Sequence, residues 1–256
     1  MRVNQQPAFI LHHHHYSESS LLLEVLTAHH GRIGLIAKGA RRANSRMRGI
    51  LKPFQCLLIG WSGKGELAVL TAAELDNSNA VLQGSALYCG FYMNEVLLRL
   101  LHRHDPHETL FEAYRTALRR LDPDGTNEAV LRLFEKHLLR ELGYGLVLDR
   151  DIADNTPIEA QAMYDYVLDR GPMRVAHPEL NRPSEGVLVR GLSLMALAQE
   201  NLNDPAARRD AKALMRAALA RHLGDQPLQS RKLFRRVVLP NLMGTKTESG
   251  IDEAGR

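Results

Sequence analysis

The chain has few of the residues that build metal centres and disulfides. It contains two cysteines, Cys56 and Cys89, and no CxxC pair, whereas a structural zinc site usually takes Cys and His ligands in paired spacing. Both cysteines lie in apolar stretches, as is typical of buried, reduced thiols in a cytosolic protein. No apolar run approaches the roughly 18 residues of a membrane span. The N-terminus also lacks the apolar core and cleavage site of a signal peptide.

Motifs for catalysis are missing as well. The sequence contains no HExxH, GxSxG, Walker A or GxGxxG pattern. The four consecutive histidines His12–His15 follow an apolar segment, and neighbouring side chains of an extended chain point to opposite faces, so they do not converge on one ion. We therefore expect an exposed strand end at these histidines, no cofactor and no enzyme activity. A metal-dependent hydrolase that uses the histidines of the chain stays open as an alternative.

One stretch lacks acidic residues altogether. Residues 25–65 contain no Asp or Glu but eight Lys or Arg. Residues 1–80 hold nine basic and five acidic residues, a net charge of +4, whereas residues 81–256 hold 24 of each. The whole formal charge of the protein therefore lies in its first third. A localised positive field is typical of proteins that bind polyanions, most often nucleic acid.

The first 80 residues have the pattern of a small β-barrel. Five short apolar runs alternate with turn residues: Pro7–Leu11, Leu21–Thr27, Ile33–Ala37, Phe54–Gly60 and Glu66–Thr71. Gly31, in the turn between the second and third runs, is free to take a positive φ. Five strands in so short a segment predict a closed five-stranded OB-fold barrel.

The remainder, residues 81–256, is predicted to be an all-α helical domain with a short basic C-terminal helix and a polar tail. The boundary is expected near Asp76–Ala80. Apolar spacing and capping residues predict helices over Val81–His104 (with Phe91 on its apolar stripe), Glu108–Leu121, Asn127–Leu142, Pro157–Asp169, Ser184–Gln199, Pro205–Leu223 and Leu228–Val238. Residues 143–156 are predicted to be irregular.

The candidate nucleic-acid site is the segment between the third and fourth strands. Its basic residues, interspersed with Gly, Ala and Ser, are Lys38, Arg41, Arg42, Arg46, Arg48 and Lys52. We expect a flexible loop whose cations contact successive phosphates and gain affinity by releasing counterions. Aromatic residues are only 5% of the chain, so base stacking should be a minor contribution.

A second basic cluster lies near the C-terminus. Arg231, Lys232, Arg235 and Arg236 follow one another at helical spacing without an intervening acid. Two interpretations stay open for this cluster. It is either the solvated face of a docked helix, or an extension of the nucleic-acid surface to which Arg231 and Arg235 contribute.

The sequence also resembles a known family. YSESSLLLEVLTAHHGRIGLIAKGARRANSRMRGILKPFQCLLIG resembles the N-terminal barrel of the RecO family of bacterial recombination mediators. LYCGFYMNEVLLRLL, LRLFEKHLLRELGYG and SRKLFRRVVLP resemble its helical domain. The resemblance extends from about residue 7 to 240. Its strength lies in the order of HGR, AKGARR, KPF, LGYG and SRxLFR, since each motif alone is weak.

The resemblance implies a non-enzymatic, cytoplasmic, nucleoid-associated protein of DNA repair and recombination. Such proteins bind single- and double-stranded DNA, anneal complementary strands, engage the C-terminal tail of single-strand binding protein and, with RecR, help to load RecA. It also implies that Arg32 and the loop Lys38–Arg48 bind DNA. Some members hold zinc through cysteines at positions matching about 145–180; this chain has none there, so zinc is not expected.

A site for the acidic, Phe-ending tail of single-strand binding protein needs an apolar pocket and a cation. The residues that we expect to form it are Phe111, Tyr114, Arg115 and Arg132. From the residues alone, an RNA-binding OB-fold module is the alternative function, and it predicts a preference for structured RNA over single-stranded DNA.

Overall fold

A computed structural model of the chain describes residues 1–76, 81–176, 186–224, 226–230 and 232. Its first part is a closed barrel with the strand order β1-β2-β3-β5-β4. The strands are β1 (Arg2–His15), β2 (Leu21–Thr27), β3 (Gly31–Ala37), β4 (Cys56–Ser62) and β5 (Leu67–Leu75). β3 and β5 pair in parallel and the other neighbours are antiparallel. The predicted five-stranded barrel is confirmed.

Side-chain alternation explains the barrel. Inward-facing residues such as Ala8, Ile10, Leu23 and Leu35 are at most 1% exposed and fill its interior. Gly31 has a φ of +65° in the turn between β2 and β3, as predicted. The histidines His12–His15 extend β1 and are exposed, also as predicted.

The second part contains five helices within the residues that the structure describes. They are α1 (Gly84–Leu100), α2 (Glu108–Arg120), α3 (Glu128–Glu141), α4 (Gly191–Ala198) and α5 (Pro205–Leu223). Gly143 takes a φ of +84° just after α3, and the Asp204 carboxylate accepts a hydrogen bond from the Ala207 amide at 2.7 Å to cap α5. The predicted order of a five-stranded barrel followed by helices is confirmed, although α1 ends at Leu100 rather than at His104.

Two of the predicted helices are wrong in whole or in part. Residues 157–169 contain the strand β6 (Met163–Val167), which lies in the centre of a small sheet of order β7-β6-β8. Its neighbours are β7 (Gly171–Val175) and β8 (Val187–Arg190), so the described part of the predicted helix Ser184–Gln199 contains a strand and is helical only over Gly191–Ala198. In β6, Tyr164 and Tyr166 are buried while their neighbours are half-buried. This period of two belongs to a strand.

Two further predictions fall partly outside the described residues. The expected domain boundary near Asp76–Ala80 includes residues 77–80, which are not described. Of the predicted final helix, only Leu228–Ser230 and Lys232 are described. Among the described helices, none is both long and apolar enough to cross a membrane.

Two hydrophobic cores hold the molecule together. One fills the barrel. The other joins the outer side of the barrel, through residues such as Phe9, Leu26 and Phe54, to the buried faces of the helices. Cys56 and Cys89 are buried, reduced thiols of this second core. The helical region therefore covers one side of the barrel, and Phe54, near the end of the loop between β3 and β4, packs into the core between them.

Candidate nucleic-acid interface

The basic loop, residues 38–55, connects β3 to β4 through a series of turns. The predicted flexibility of this loop is not what the structure shows. Ala40 and Leu51 are buried in the barrel core at 1% and 4% exposure. The Arg41 amide donates a hydrogen bond to the Ser19 carbonyl at 3.0 Å, and its guanidinium donates to the carbonyls of Ser17 and Glu18, each at 2.9 Å. The loop is thus fixed against the loop between β1 and β2.

Arg41 consequently has a different position from the other cations of the loop. Its guanidinium is occupied by backbone carbonyls and is half-buried. The exposed cations are Lys38, Arg42, Arg46, Arg48 and Lys52. Within the described parts of the chain, these five form no ion pair or side-chain hydrogen bond. They are the groups of the loop that are free to meet phosphates.

Arg32 lies away from this surface. Its guanidinium donates to the Leu98 carbonyl at 3.1 Å and lies 3.6 Å from the Glu24 carboxylate, with its side chain 18% exposed. These contacts join β3 to the end of α1. The structure therefore places Arg32 at the junction of barrel and helices and does not bring it together with the loop cations.

The face of β2 and β3 carries a neutralised ion cluster that the sequence did not reveal. The Arg103 guanidinium pairs with Glu24 on β2 and with Glu66 before β5, the latter at 2.7 Å. OB-folds usually bind nucleic acid on this face and on the loops beside it. Arg32 and Arg103 therefore balance the charges of Glu24 and Glu66 on this face.

Exposed aromatic residues near the loop are few. Phe9, Phe54 and Trp61 are all buried. Tyr16 is 56% exposed at the end of β1, next to the carbonyls that hold Arg41. Phe91 was predicted on the apolar stripe of α1 but is 41% exposed. The signal for this was available, because Cys89 and Met93 each lie about 200° around the helix from Phe91.

The C-terminal basic cluster begins beside α1. The Glu95 carboxylate accepts hydrogen bonds from the amides of Gln229 and Ser230, both at 2.9 Å, and from the Ser230 hydroxyl at 2.7 Å. Burial alone would raise the pKa of Glu95, but these hydrogen bonds and the nearby Arg99 lower it overall. Lys232 is exposed. Arg231 and Arg235 lie outside the described residues.

The four residues predicted to bind a partner's tail do not form an open pocket. Phe111 and Tyr114 are completely buried in the core of the helical region. Arg132 is 5% exposed and donates to the Glu135 carboxylate at 2.6 Å. Only Arg115 reaches the surface, with its side chain 21% exposed beside Glu112. The apolar pocket expected from these residues is therefore filled by their own packing.

The region around residues 145–176 is held together by a carboxylate. Asp151 is 3% exposed, and its two oxygens accept hydrogen bonds from the amides of Ala153 and Arg174, both at 2.8 Å. This closes an irregular turn against β7. Across the described residues, no group of three or more Cys, His, Asp or Glu side chains has the geometry to hold a metal ion.

Comparison with known proteins gives a consistent result over both parts of the chain. Residues 1–79 match the family model described as Recombination protein O N terminal, and residues 82–232 match Recombination protein O C terminal. The chain is 47% identical over 234 residues to DNA repair protein RecO of Nitrosococcus oceani, which covers 91% of this chain and 94% of the relative.

Other relatives are similar to the same extent. DNA repair protein RecO of Alkalilimnicola ehrlichii is 49% identical over 237 residues, with 92% of each chain covered. The protein of the same name from Coxiella burnetii is 44% identical over 233 residues, covering 91% of this chain and 98% of the relative. The chain therefore belongs to the RecO family of DNA repair proteins.

Proposed function

We propose that this protein is a non-enzymatic, DNA-binding recombination mediator whose basic loop holds the phosphates of DNA. The observation that carries the proposal is the set of exposed cations Lys38, Arg42, Arg46, Arg48 and Lys52 on a loop fixed to the barrel. No acid lies in the same stretch. Membership of a family of DNA repair proteins makes DNA the natural polyanion.

The loop is preorganised for this task. Arg41 and the buried residues Ala40 and Leu51 hold its backbone, so binding does not have to order the whole segment. Phosphate contacts position a strand without reading its bases. We therefore expect slight sequence preference and strong salt dependence.

Strand annealing follows from the same surface. Two complementary strands repel each other through their phosphates, and a cluster of cations that contacts both lowers this repulsion. Base pairing between the strands then supplies the specificity. In this scheme the protein brings strands together and carries out no covalent step.

Partners are proposed from the family resemblance. We infer that the protein engages the tail of single-strand binding protein and RecR, and thereby promotes RecA loading. Because Phe111, Tyr114 and Arg132 are buried, Arg115 is the member of the expected peptide site that the structure supports as a direct contact for an acidic tail. Arg115→Ala should weaken tail binding, measured by titration of the labelled peptide, without a loss of folding.

The test of the DNA site is an anisotropy titration of labelled single-stranded DNA at several salt concentrations. If five phosphates are neutralised, affinity should fall about 100-fold between roughly 50 and 200 mM salt. In the variant Arg42→Ala/Arg46→Ala/Arg48→Ala two cations of the loop remain, and the fall should shrink to about 7-fold. The variant Arg119→Ala/Arg120→Ala/Arg209→Ala removes the same charge from exposed positions on α2 and α5 and serves as the control.

Weak, salt-insensitive binding by the wild type would refute the proposal. Equal losses in the two triple variants would show that net charge matters rather than the loop. A clear preference for structured RNA over single-stranded DNA would favour the RNA-binding alternative instead.

A further inference from the structure

Phe91 is an exposed aromatic side chain on the outer face of α1. Its exposure of 41% contrasts with that of Cys89, Tyr92 and Met93 on the same helix, which are at most 7% exposed. Proteins that bind single-stranded nucleic acid stack its bases on aromatic side chains that are exposed in this way.

The ring is joined to the end of the basic loop. Phe54 packs against Phe91 with ring centroids 5.1 Å apart at an interplanar angle of 73°. Phe54 reaches this position with a φ of +69°, an unfavourable conformation for a bulky residue. Gly90 makes room for it, since a Cβ there would lie 2.8 Å from the Phe54 ring. The strained backbone of Phe54 therefore places the two rings in an edge-to-face arrangement.

This contact brings Phe91 close to a phosphate-binding cation. Lys52 is exposed and precedes Phe54 by two residues, so their Cα atoms are at most about 7.6 Å apart. Under the proposed function, a single strand whose phosphate contacts Lys52 passes the end of the loop that packs on the Phe91 ring.

The second basic segment begins on the same face of α1. Glu95 follows Phe91 by one helical turn, and its carboxylate holds the amides of Gln229 and Ser230. Lys232 is exposed just beyond them. Along α1, the exposed Phe91 ring therefore lies between its contact with Phe54 of the basic loop and the attachment of Gln229 and Ser230, where the C-terminal basic cluster begins.

We propose that Phe91 is a base-stacking residue, and that the exposed face of α1 beside the basic loop carries single-stranded DNA. This inference rests on the proposed function, because the loop supplies the phosphate contacts that hold the strand. Stacking on an aromatic ring is tolerant of sequence, since every base has a π-face. It favours single strands, because the bases of a duplex are already stacked on one another.

The test compares Phe91→Leu, Phe91→Trp and Tyr144→Ala in titrations with single- and double-stranded DNA. Phe91→Leu keeps an apolar group against Phe54 but removes the aromatic face. It should weaken single-strand binding about 5-fold or more, leave duplex binding unchanged and leave the salt slope unchanged, since the slope counts phosphates. Phe91→Trp should restore affinity. Tyr144, which is 50% exposed beyond the end of α3, is the matched control and should have no effect.

Each other outcome overturns the inference in a recognisable way. If Phe91→Leu binds single strands like the wild type while the loop triple variant does not, the loop binds DNA by phosphates alone and only the stacking role is wrong. Equal losses on single strands and duplex would mean a structural role. An unchanged DNA affinity with weaker binding of a protein partner would make this face a protein-docking surface. Failure of the wild type itself to bind single strands would instead remove the proposed function.

Discussion

Arg132 shows how one residue can look like a binding group and act as a packing group. Its guanidinium and the Glu135 carboxylate are buried together on α3, and the Tyr92 hydroxyl donates to the same carboxylate oxygen. Burial also raises the pKa of the neighbouring Cys89 thiol to about 11, against the opposing effect of the Arg132 charge. This site is shielded from water, so removal of either partner would leave the other as an uncompensated buried charge.

We therefore expect Arg132→Ala to lower the free energy of unfolding by about 3–5 kcal/mol, because it leaves the Glu135 carboxylate buried and uncompensated. Urea denaturation followed by circular dichroism measures this change. Arg132→Met combined with Glu135→Leu should recover most of the loss, since it removes both charges and keeps apolar volume. A cost below about 1 kcal/mol for the single variant would indicate that Arg132 is available to ligands.

Two side chains of α1 hold the start of the C-terminal segment: the Glu95 carboxylate, and Arg99, whose guanidinium donates to the carbonyls of Gln226 and Pro227 at 2.6 and 3.2 Å. The pKa of Glu95 is lowered in the folded protein from its ordinary value of 4.5, so its contribution to stability is complete above that pH and is lost as the pH falls through the lower, folded value. At neutral pH, Glu95→Gln should weaken the attachment of Gln229 and Ser230 to α1 in the same way. Hydrogen exchange at the amides of Gln229 and Ser230 should then accelerate about 10-fold or more, because hydrogen bonds to a charged acceptor are replaced by weaker ones.

Hydrogen exchange at the amides of α2 provides the internal control, because none of the hydrogen bonds of the Glu95 carboxylate described above involves α2. Unchanged protection of Gln229 and Ser230 in the variant would contradict the anchoring role of Glu95.

Elements with strong local patterns could be predicted from the sequence, and those that depend on distant partners could not. The barrel strands are short apolar runs separated by turn residues, and α5 carries its own cap in Asp204 and Pro205. β6 and β8 were predicted to be helical because runs of five and four residues are too short for periodicity to distinguish a strand from a buried helix. What makes them strands is pairing across the chain, and Gly191 ends β8 where a Cβ would lie 1.9 Å from the Glu159 carbonyl.

The candidate site likewise has features that could be predicted from the sequence and features that could not. The charge of residues 38–52 could be read directly, but the separate positions of Arg32 and Arg41 could not. Each is fixed by carbonyl oxygens far along the chain, at Leu98 and at Ser17 and Glu18 respectively. Residue type indicates that a cation is present; only the fold determines whether its donors are already occupied.

At the scale of the whole molecule, the localised field predicts different salt responses for the two forms of DNA. Duplex DNA has the higher charge density, so five phosphate contacts should cost about 500-fold in affinity between roughly 50 and 200 mM salt, compared with about 100-fold for a single strand. Parallel anisotropy titrations of matched duplex and single-strand probes measure both slopes. Identical slopes would mean that the two forms use different sets of cations.

The core that joins the barrel to the helices has a consequence for how this protein can be divided. Phe9, Leu11 and Leu26 belong to the barrel by sequence, yet they are buried against residues of the helical region. A fragment that ends near residue 80 would expose these side chains to water as an apolar patch that promotes aggregation. The barrel is therefore not an independent folding unit. It shares a hydrophobic core with the helical region, and each part needs the other to bury its apolar residues.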